Sequence, residues 1–366
     1  MRITAKITGI EYKNRLTSNL KEFDLANFDI NLLPSSFIIK DDDFSCGVSK
    51  WVSPKRTRSY PYARIYDTLG KGRKVTVIPI IKDEGKRGDR DYIQWDTVSL
   101  MSLLDVYVIF AYYERAAKHL TIENKITKQR FDNKLVRAKL VDIKNYYSSA
   151  LHWNLKEIEE TFPKLIQQIK LAYREIGDKL EVEFHNESGI DRFANEFVNG
   201  VEDFMDTSRI RAQKAQNREM QTVQPKEALS TLTKATITIK NYLGGIYYFT
   251  TDEIKIEGNN IYLIEAKHSR TTLLPSLADI KDGLLKMILY TNLKEVKIDE
   301  VEYNPIPVIK LTSTKLRGCI QSSDSSEEIR AFISNQKFSK SQKSIIENLF
   351  AEAKENNILI NIEKAD

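Results

Sequence analysis

At 366 residues, the chain is long enough for two or three domains at a prior of about 100–200 residues each. Apolar residues make up 41% and charged residues 29%, which excludes the low-hydrophobicity signature of a disordered chain. The net charge is only +5, from 56 basic against 51 acidic residues, so any nucleic-acid surface has to come from local clustering rather than bulk charge.

The N-terminus MRITAKITGIEYKN alternates polar and apolar residues and lacks the apolar run of a secretory signal. Short strand-like runs follow, such as Lys74 to Ile81. The most apolar stretch, Val98 to Tyr113, is interrupted by Ser99, Ser102 and Asp105 and is shorter than a bilayer span of about 20 residues, so it reads as a buried helix and no membrane role is expected. Residues 1–118 are thus expected to form an N-terminal α+β domain. Residues 119–220 read as a helical middle, with Leu151, Leu155, Ile158, Phe162, Ile166 and Ile169 on one face. Near its end, Ile190, Phe193, Phe197, Val201 and Phe204 form one stripe of a helix over 190–206. The polar stretch from Arg209 to Pro225 reads either as a linker or as the basic end of a helix.

From about Ala235 the period changes to that of strands: ATITIK, IYYFTTDEIKI, the turn EGNN and IYLIEAKHS form a three-stranded meander. An amphipathic helix from Ser276 to Thr291 and the strand-like KEVKIDEVEYNPIPVIKL complete a unit over 221–366, to which helix 190–206 contributes. The order argues for an α/β fold with a central mixed sheet flanked by helices.

Glu265-Ala266-Lys267 ends the run Ile261 to Ile264, which is apolar on both faces as a central strand requires. Alternation points Glu265 and Lys267 to one face. Burying two charges is costly unless they pair or bind something, and the turn at Gly258-Asn259-Asn260 brings Asp252 back beside Glu265. Two carboxylates and an ammonium then converge, an arrangement suited to a hard divalent cation and phosphodiester hydrolysis. Lys267 would orient the nucleophile or stabilise charge growing on the phosphate. Glu-x-Lys triplets are common in this chain, and one, Glu352-Ala353-Lys354, sits in a helical stretch where such spacing shares no face. Context singles out Glu265 and Lys267; the plain alternative is a solvated strand-end salt bridge.

The segment TTDEIKIEGNNIYLIEAKHS, followed by the helix bearing DIKDGLLKMILYTNL, resembles the PD-(D/E)XK nuclease superfamily, and within it type II restriction endonucleases, over residues 190 to 312. The resemblance implies a restriction-endonuclease-like core, with Asp252 and Glu265 as metal ligands and Lys267 as the motif's lysine. It implies Mg²⁺ as cofactor, with Mn²⁺ able to substitute, and double-stranded DNA as substrate. A cognate DNA methyltransferase and a homodimeric state are further expectations. Thr251 stands where the motif's proline would be, and Glu253 competes with Asp252 for the role of first acid; by alternation only one faces the metal. Asp252 is favoured, because its thirteen-residue separation from Glu265 fits a short hairpin. Glu196 or Glu202 could add a helix glutamate. His268 alternates away from this face, and Tyr262 and Tyr290 read as core.

The run WVSPKRTRSYPYARIY interleaves basic and aromatic residues, and Lys55, Arg56, Arg58, Tyr60 and Arg64 are candidates for gripping DNA. An edge strand with snorkelling basic side chains is the equal alternative. In the loop Lys82 to Arg90 the acids nearly cancel the bases, and Lys281 and Lys286 read as a solvated helix face. Two cysteines, Cys46 and Cys319, are too few for a disulfide framework or a zinc site, which suits a reducing cytoplasm. No GxxxxGK[ST] phosphate loop is present, so ATP-driven translocation is not expected. A repair or mobile-element nuclease, or a non-enzymatic DNA-binding protein on a degenerate nuclease fold, are the competing functions.

Overall fold

The computed structural model describes residues 1–196, 201–221, 233–241 and 246–365. The chain divides into two compact units, Met1–Ser18 with Arg211–Asp366, and Asn19–Ile210. These units cut across the segments 1–118, 119–220 and 221–366 drawn from the sequence. The reason at the N-terminus is β1 (Arg2–Ile7), which hydrogen-bonds into the sheet of the C-terminal segment.

Along Asn19–Ile210 the elements are β2 (Glu22–Asp24), β3 (Ser36–Asp41), β4 (Phe44–Lys50), α1 (Pro61–Tyr66), β5 (Arg73–Pro79), β6 (Ile81–Asp83), β7 (Arg90–Tyr92), α2 (Trp95–Leu103), β8 (Val106–Ala111), β9 (Tyr113–Lys118), β10 (Ile126–Phe131), α3 (Asn133–Lys144), α4 (Ala150–Leu180), α5 (Ser188–Asn195) and the start of α6 (Val201–Gln221). A five-stranded sheet runs in the order β2-β3-β4-β5-β8. Its β4, β5 and β8 are parallel, as their helical connections α1 and α2 require. Helix α4 docks on β8 through Asn154, whose Oδ1 accepts from Val108 N at 2.7 Å and whose Nδ2 donates to Val106 O at 3.1 Å.

The run Val98 to Tyr113 is not one buried helix. Helix α2 stops at Leu103, Asp105 takes a left-handed φ of 55°, and Val106–Ala111 enters the sheet buried at every position. An apolar run reads alike in a buried helix and in a strand covered on both faces; the β-branched Val106, Val108 and Ile109 favour the strand. The segment 119–220 is mainly helical, but it opens with β10, which pairs with β9. Ile158, Phe162, Ile166 and Ile169 of α4 are buried as expected. Helix 190–206 is two helices, α5 and α6; Ile190, Phe193 and Phe204 are buried, and Phe197 lies outside the described residues. The polar stretch after Arg209 is helical to Gln221, and residues 222–225 lie outside the described residues.

The other unit contains β1, the end of α6, β11 (Thr233–Asn241), β12 (Ile246–Glu257), β13 (Asn260–Ser269), α7 (Leu277–Tyr290), β14 (Leu293–Ile298), β15 (Val301–Ser313), β16 (Cys319–Gln321), α8 (Ser326–Asn335), α9 (Lys340–Asn356) and β17 (Leu359–Lys364). The strands form a mixed sheet in the order β13-β12-β11-β1-β14-β15-β17-β16, with β13 also paired to β15. Strands β11, β12 and β13 are the expected antiparallel meander, turned at Gly258 with φ 58°. Helix α7 and then β14 lead the chain to β15, which runs parallel to β13. The last strand-like stretch is a hairpin rather than one strand, because Asp299 and Glu300 adopt φ of 45° and 67° between β14 and β15. A second long-range tie is Glu352 of α9, which is fully buried and accepts from Tyr12 Oη at 2.6 Å, Arg15 N at 2.8 Å and Leu16 N at 3.1 Å. The architecture is therefore mixed α/β with a large mixed sheet flanked by helices. Among the described residues, no helix is long and apolar enough to cross a membrane.

Candidate active site

Strand β13 hydrogen-bonds to β12 on one side and β15 on the other, so both of its backbone edges are paired over residues 260–264. Ile261 and Leu263 are fully buried, and Glu265, two residues further on the same face, is only 2% exposed. Helix α7 lies over this face. It is capped by Ser276, whose hydroxyl accepts from Asp279 N at 3.1 Å, and buries Ile280, Leu284, Met287 and Ile288. A methyl group built on Gly283 would meet Lys267 Cε at 3.4 Å and Glu265 Cγ at 3.7 Å, so the helix backbone passes close above the charged pair.

Lys267 Nζ is 2.9 Å from Glu265 Oε1 and 3.0 Å from Asp282 Oδ2 of α7. The other oxygen, Glu265 Oε2, is 2.6 Å from Lys286 Nζ. Both carboxylate oxygens thus rest on ammonium groups. Burial opposes ionisation of Glu265, but Lys286 and Lys267 outweigh it and hold the carboxyl below its ordinary range. Burial likewise works against the Lys267 ammonium, and Glu265 and Asp282 overcome it to raise that lysine.

Asp252 is one residue before the regular Glu253–Ile264 pair of the β12–β13 ladder, which sets it across from Glu265. Its Oδ2 accepts from Ala266 N at 2.8 Å. Burial, and then the charge on Glu265, push the Asp252 carboxyl up to about 6, against the opposing pull of Lys286, Ala266 N–H and Lys267. Glu253 shares the other face with Ile264, is buried, and has Lys310 Nζ 3.7 Å from its Oε2. Lys310 in turn is 3.0 Å from Glu363. The β11–β12 register slips between Thr233 and Ala235, beside Asp252 and Glu253, but the β12–β13 ladder stays regular through Glu253.

The structure places Asp252, Glu265 and Lys267 beside one another and adds Asp282 and Lys286, which the sequence did not single out for the site. Lys286, read as part of a solvated face, sits on Glu265, and Lys281, read the same way, is buried and donates to Ser18 Oγ at 2.8 Å. The available signal was Gly283, a residue that costs a helix about 1 kcal/mol relative to Ala and is retained where another group approaches closely. His268 turns away from the site to Thr312 Oγ1 at 2.9 Å. Tyr290 is buried, whereas Tyr262 is half-buried with the Lys255 ammonium over its ring. Glu196 and Glu202 belong to the unit Asn19–Ile210.

The run after Trp51 is neither an edge strand nor an even mixture of basic and aromatic groups. It is a loop leading into α1, with Pro61 in the first turn and Tyr60 at φ 52° before it. Tyr62 and Tyr66 are buried and closed to stacking on bases. Arg58 pairs with Asp89 at 2.5 Å and Asp91 at 3.0 Å, and Arg64 Nη1 donates to Lys50 O at 2.6 Å. Of the five candidates, Lys55 and Tyr60 are exposed and Arg56 is half-buried. In the loop from Lys82 to Arg90, Lys82 pairs with Glu84 and Arg90 with Asp83. Cys46 is buried, Cys319 exposed, and both are free thiols.

No family model, curated protein or solved structure matches the chain.

Two neighbouring carboxylates, one ionised and raising the other, form a donor set that a hard cation relieves. Among the described residues, no group of three or more His, Cys, Asp or Glu side chains is placed to hold a metal ion. Two carboxylates would leave most of a divalent cation's coordination to other oxygen donors such as water, as Mg²⁺ tolerates.

Proposed function

We propose that the chain is a Mg²⁺-dependent endonuclease of the PD-(D/E)XK type, hydrolysing phosphodiester bonds in double-stranded DNA as a type II restriction enzyme. The observation that carries this reading is the placement of Asp252 and Glu265 on adjacent antiparallel strands, with Lys267 held between Glu265 and Asp282 on the same face. Asp252 and Glu265 would hold the cation, which when bound supplies Lewis acidity and lowers the pKa of a bound water. Mn²⁺ has the same preference for oxygen ligands and would substitute. Lys267 keeps its charge despite burial and is suited to stabilising negative charge that grows on the phosphate. A separate α/β unit, Asn19–Ile210, gives the chain a second body with which to select a target sequence, and Lys55 and Tyr60 are its exposed candidates. On this reading the protein works in the cytoplasm beside a methyltransferase that protects the host sites, and acts as a homodimer.

The ion pairs on Glu265 also favour a second reading, a self-neutralised network on a non-enzymatic DNA-binding scaffold. Incubation with Mg²⁺ and a plasmid of known sequence, followed by sequencing of the ends, separates the functions. Ends at one sequence support a restriction enzyme, whereas scattered or structure-dependent ends support a repair or mobile-element nuclease. Binding without cleavage in Mg²⁺ or Mn²⁺ supports the scaffold.

A further inference from the structure

We propose that Lys286 is a built-in counter-cation, which occupies the cation position beside Glu265 and must leave it for a divalent metal to bind. The inference rests on the nuclease reading above and adds to it a means of setting the site's metal affinity. Lys286 Nζ is 2.6 Å from Glu265 Oε2, while Lys267 takes Oε1 at 2.9 Å. A divalent cation that used Glu265 would meet an ammonium at whichever oxygen it approached. The two lysines reach Glu265 from different elements. Lys267 is also held by Asp282 at 3.0 Å and shares a strand with Glu265, so it has reason to stay. Lys286 approaches from α7, and its side chain is only 15% exposed, so its charge is desolvated and needs a carboxylate.

Such a carboxylate is available when Glu265 is surrendered. Asp282 lies four residues before Lys286 on the same helix, and residues at that spacing are neighbours on a helix surface, about 5–6 Å apart at Cβ. Lys286 can therefore move from Glu265 to Asp282 by changing rotamers, with no change in the helix. Charge accounting gives the exchange a direction. Among the described residues, Asp252, Glu265 and Asp282 against Lys267 and Lys286 give the site, with every group ionised, an excess of one negative charge. A divalent cation turns that into an excess of one positive charge, which matches the single negative charge of a phosphodiester. Without metal, the site is closed by its own lysine and offers a phosphate no net attraction.

The test is Mn²⁺ binding measured by calorimetry without DNA, for the wild type, Lys286→Met and Lys286→Arg. Removing a unit charge next to the cation position should tighten Mn²⁺ binding about tenfold in Lys286→Met, whereas Lys286→Arg, which keeps the charge, should bind as the wild type does. Lys286→Gln keeps a hydrogen bond to Glu265 and should shift affinity in the same direction as Met, so instability of the Met variant does not spoil the comparison. Equal or weaker Mn²⁺ binding by the neutral variants, beside a wild type that binds and cleaves, overturns the role of Lys286 alone. Absence of Mn²⁺ binding in every protein overturns the metal site itself.

Discussion

Asp252 gives the account a test that requires no knowledge of the substrate. Its carboxyl is raised from the ordinary 3.8 to about 6 by burial and by the charge on Glu265. Between those values the folded protein holds a proton that the unfolded chain releases. The associated stability is complete below the unfolded value and is lost as pH rises through about 6. The full shift corresponds to at most about 3 kcal/mol. Asn at this position has no charge to bury, and its Oδ1 can still accept from Ala266 N–H. Asp252→Asn should therefore exceed the wild type in stability by up to about 3 kcal/mol near pH 8, with the gap closing towards about pH 4. Glu265 shifts the opposite way, so its own contribution is lost only in acid, below the range where the two proteins diverge. Urea denaturation across this pH range, in EDTA so that no cation complicates the comparison, reads the difference directly. Parallel stability profiles for the two proteins would refute the electrostatic picture of the site.

Lys267→Ala should lower the rate of cleavage by roughly 10²–10³-fold, the scale of losing one transition-state charge stabiliser, while DNA affinity measured in Ca²⁺ stays within a factor of a few; an equal loss of binding would make the lysine a DNA contact instead. Lys55→Ala should weaken DNA binding across sequences and flatten its salt dependence, whereas Arg64→Ala should leave that slope alone and cost about 1–3 kcal/mol in stability, because the guanidinium is spent on Lys50 O. Salt-titrated binding and denaturation curves of the two variants decide this, and a flattened slope for Arg64→Ala would contradict it. Glu352→Ala should destabilise the protein by about 3 kcal/mol, since it strands Tyr12 Oη, Arg15 N and Leu16 N; a change below about 1 kcal/mol in a urea melt would show that the tie is dispensable.

The hairpin of β12 and β13 and the helix after it were legible because their signals are local. Alternation fixed which residues share a face, Gly258 fixed the turn, and the stripe of Ile280, Leu284, Met287 and Ile288 fixed the buried side of α7. The partners across that interface were not legible. Which helical turn stands over Glu265 depends on how α7 packs, so Asp282 and Lys286 looked like any charged residues on an amphipathic helix. The same limit hid the insertion of β1 between β11 and β14, a pairing over more than two hundred residues of chain that no local pattern encodes. In Val98 to Tyr113 composition did not distinguish helix from strand, and the left-handed turn at Asp105 is at a residue type that tolerates it without demanding it. In the stretch from Trp51, the sequence marked basic and aromatic residues correctly but could not tell that Tyr62 and Tyr66 turn into the core while Arg58 and Arg64 are spent on local partners.

The central claim is that Asp252, and not its neighbour Glu253, joins Glu265 in a metal-dependent nuclease site. Cleavage of a supercoiled plasmid by the wild type, Asp252→Asn and Glu253→Gln, each in Mg²⁺ and in EDTA, tests it most directly. Both substitutions are nearly isosteric, and Glu253 lies on the opposite face beside Lys310, so the comparison reports on charge at the site. Mg²⁺-dependent cleavage is expected of the wild type and of Glu253→Gln, and none of Asp252→Asn. Cleavage by Asp252→Asn with loss in Glu253→Gln, or no cleavage by the wild type in Mg²⁺ or Mn²⁺, would contradict it.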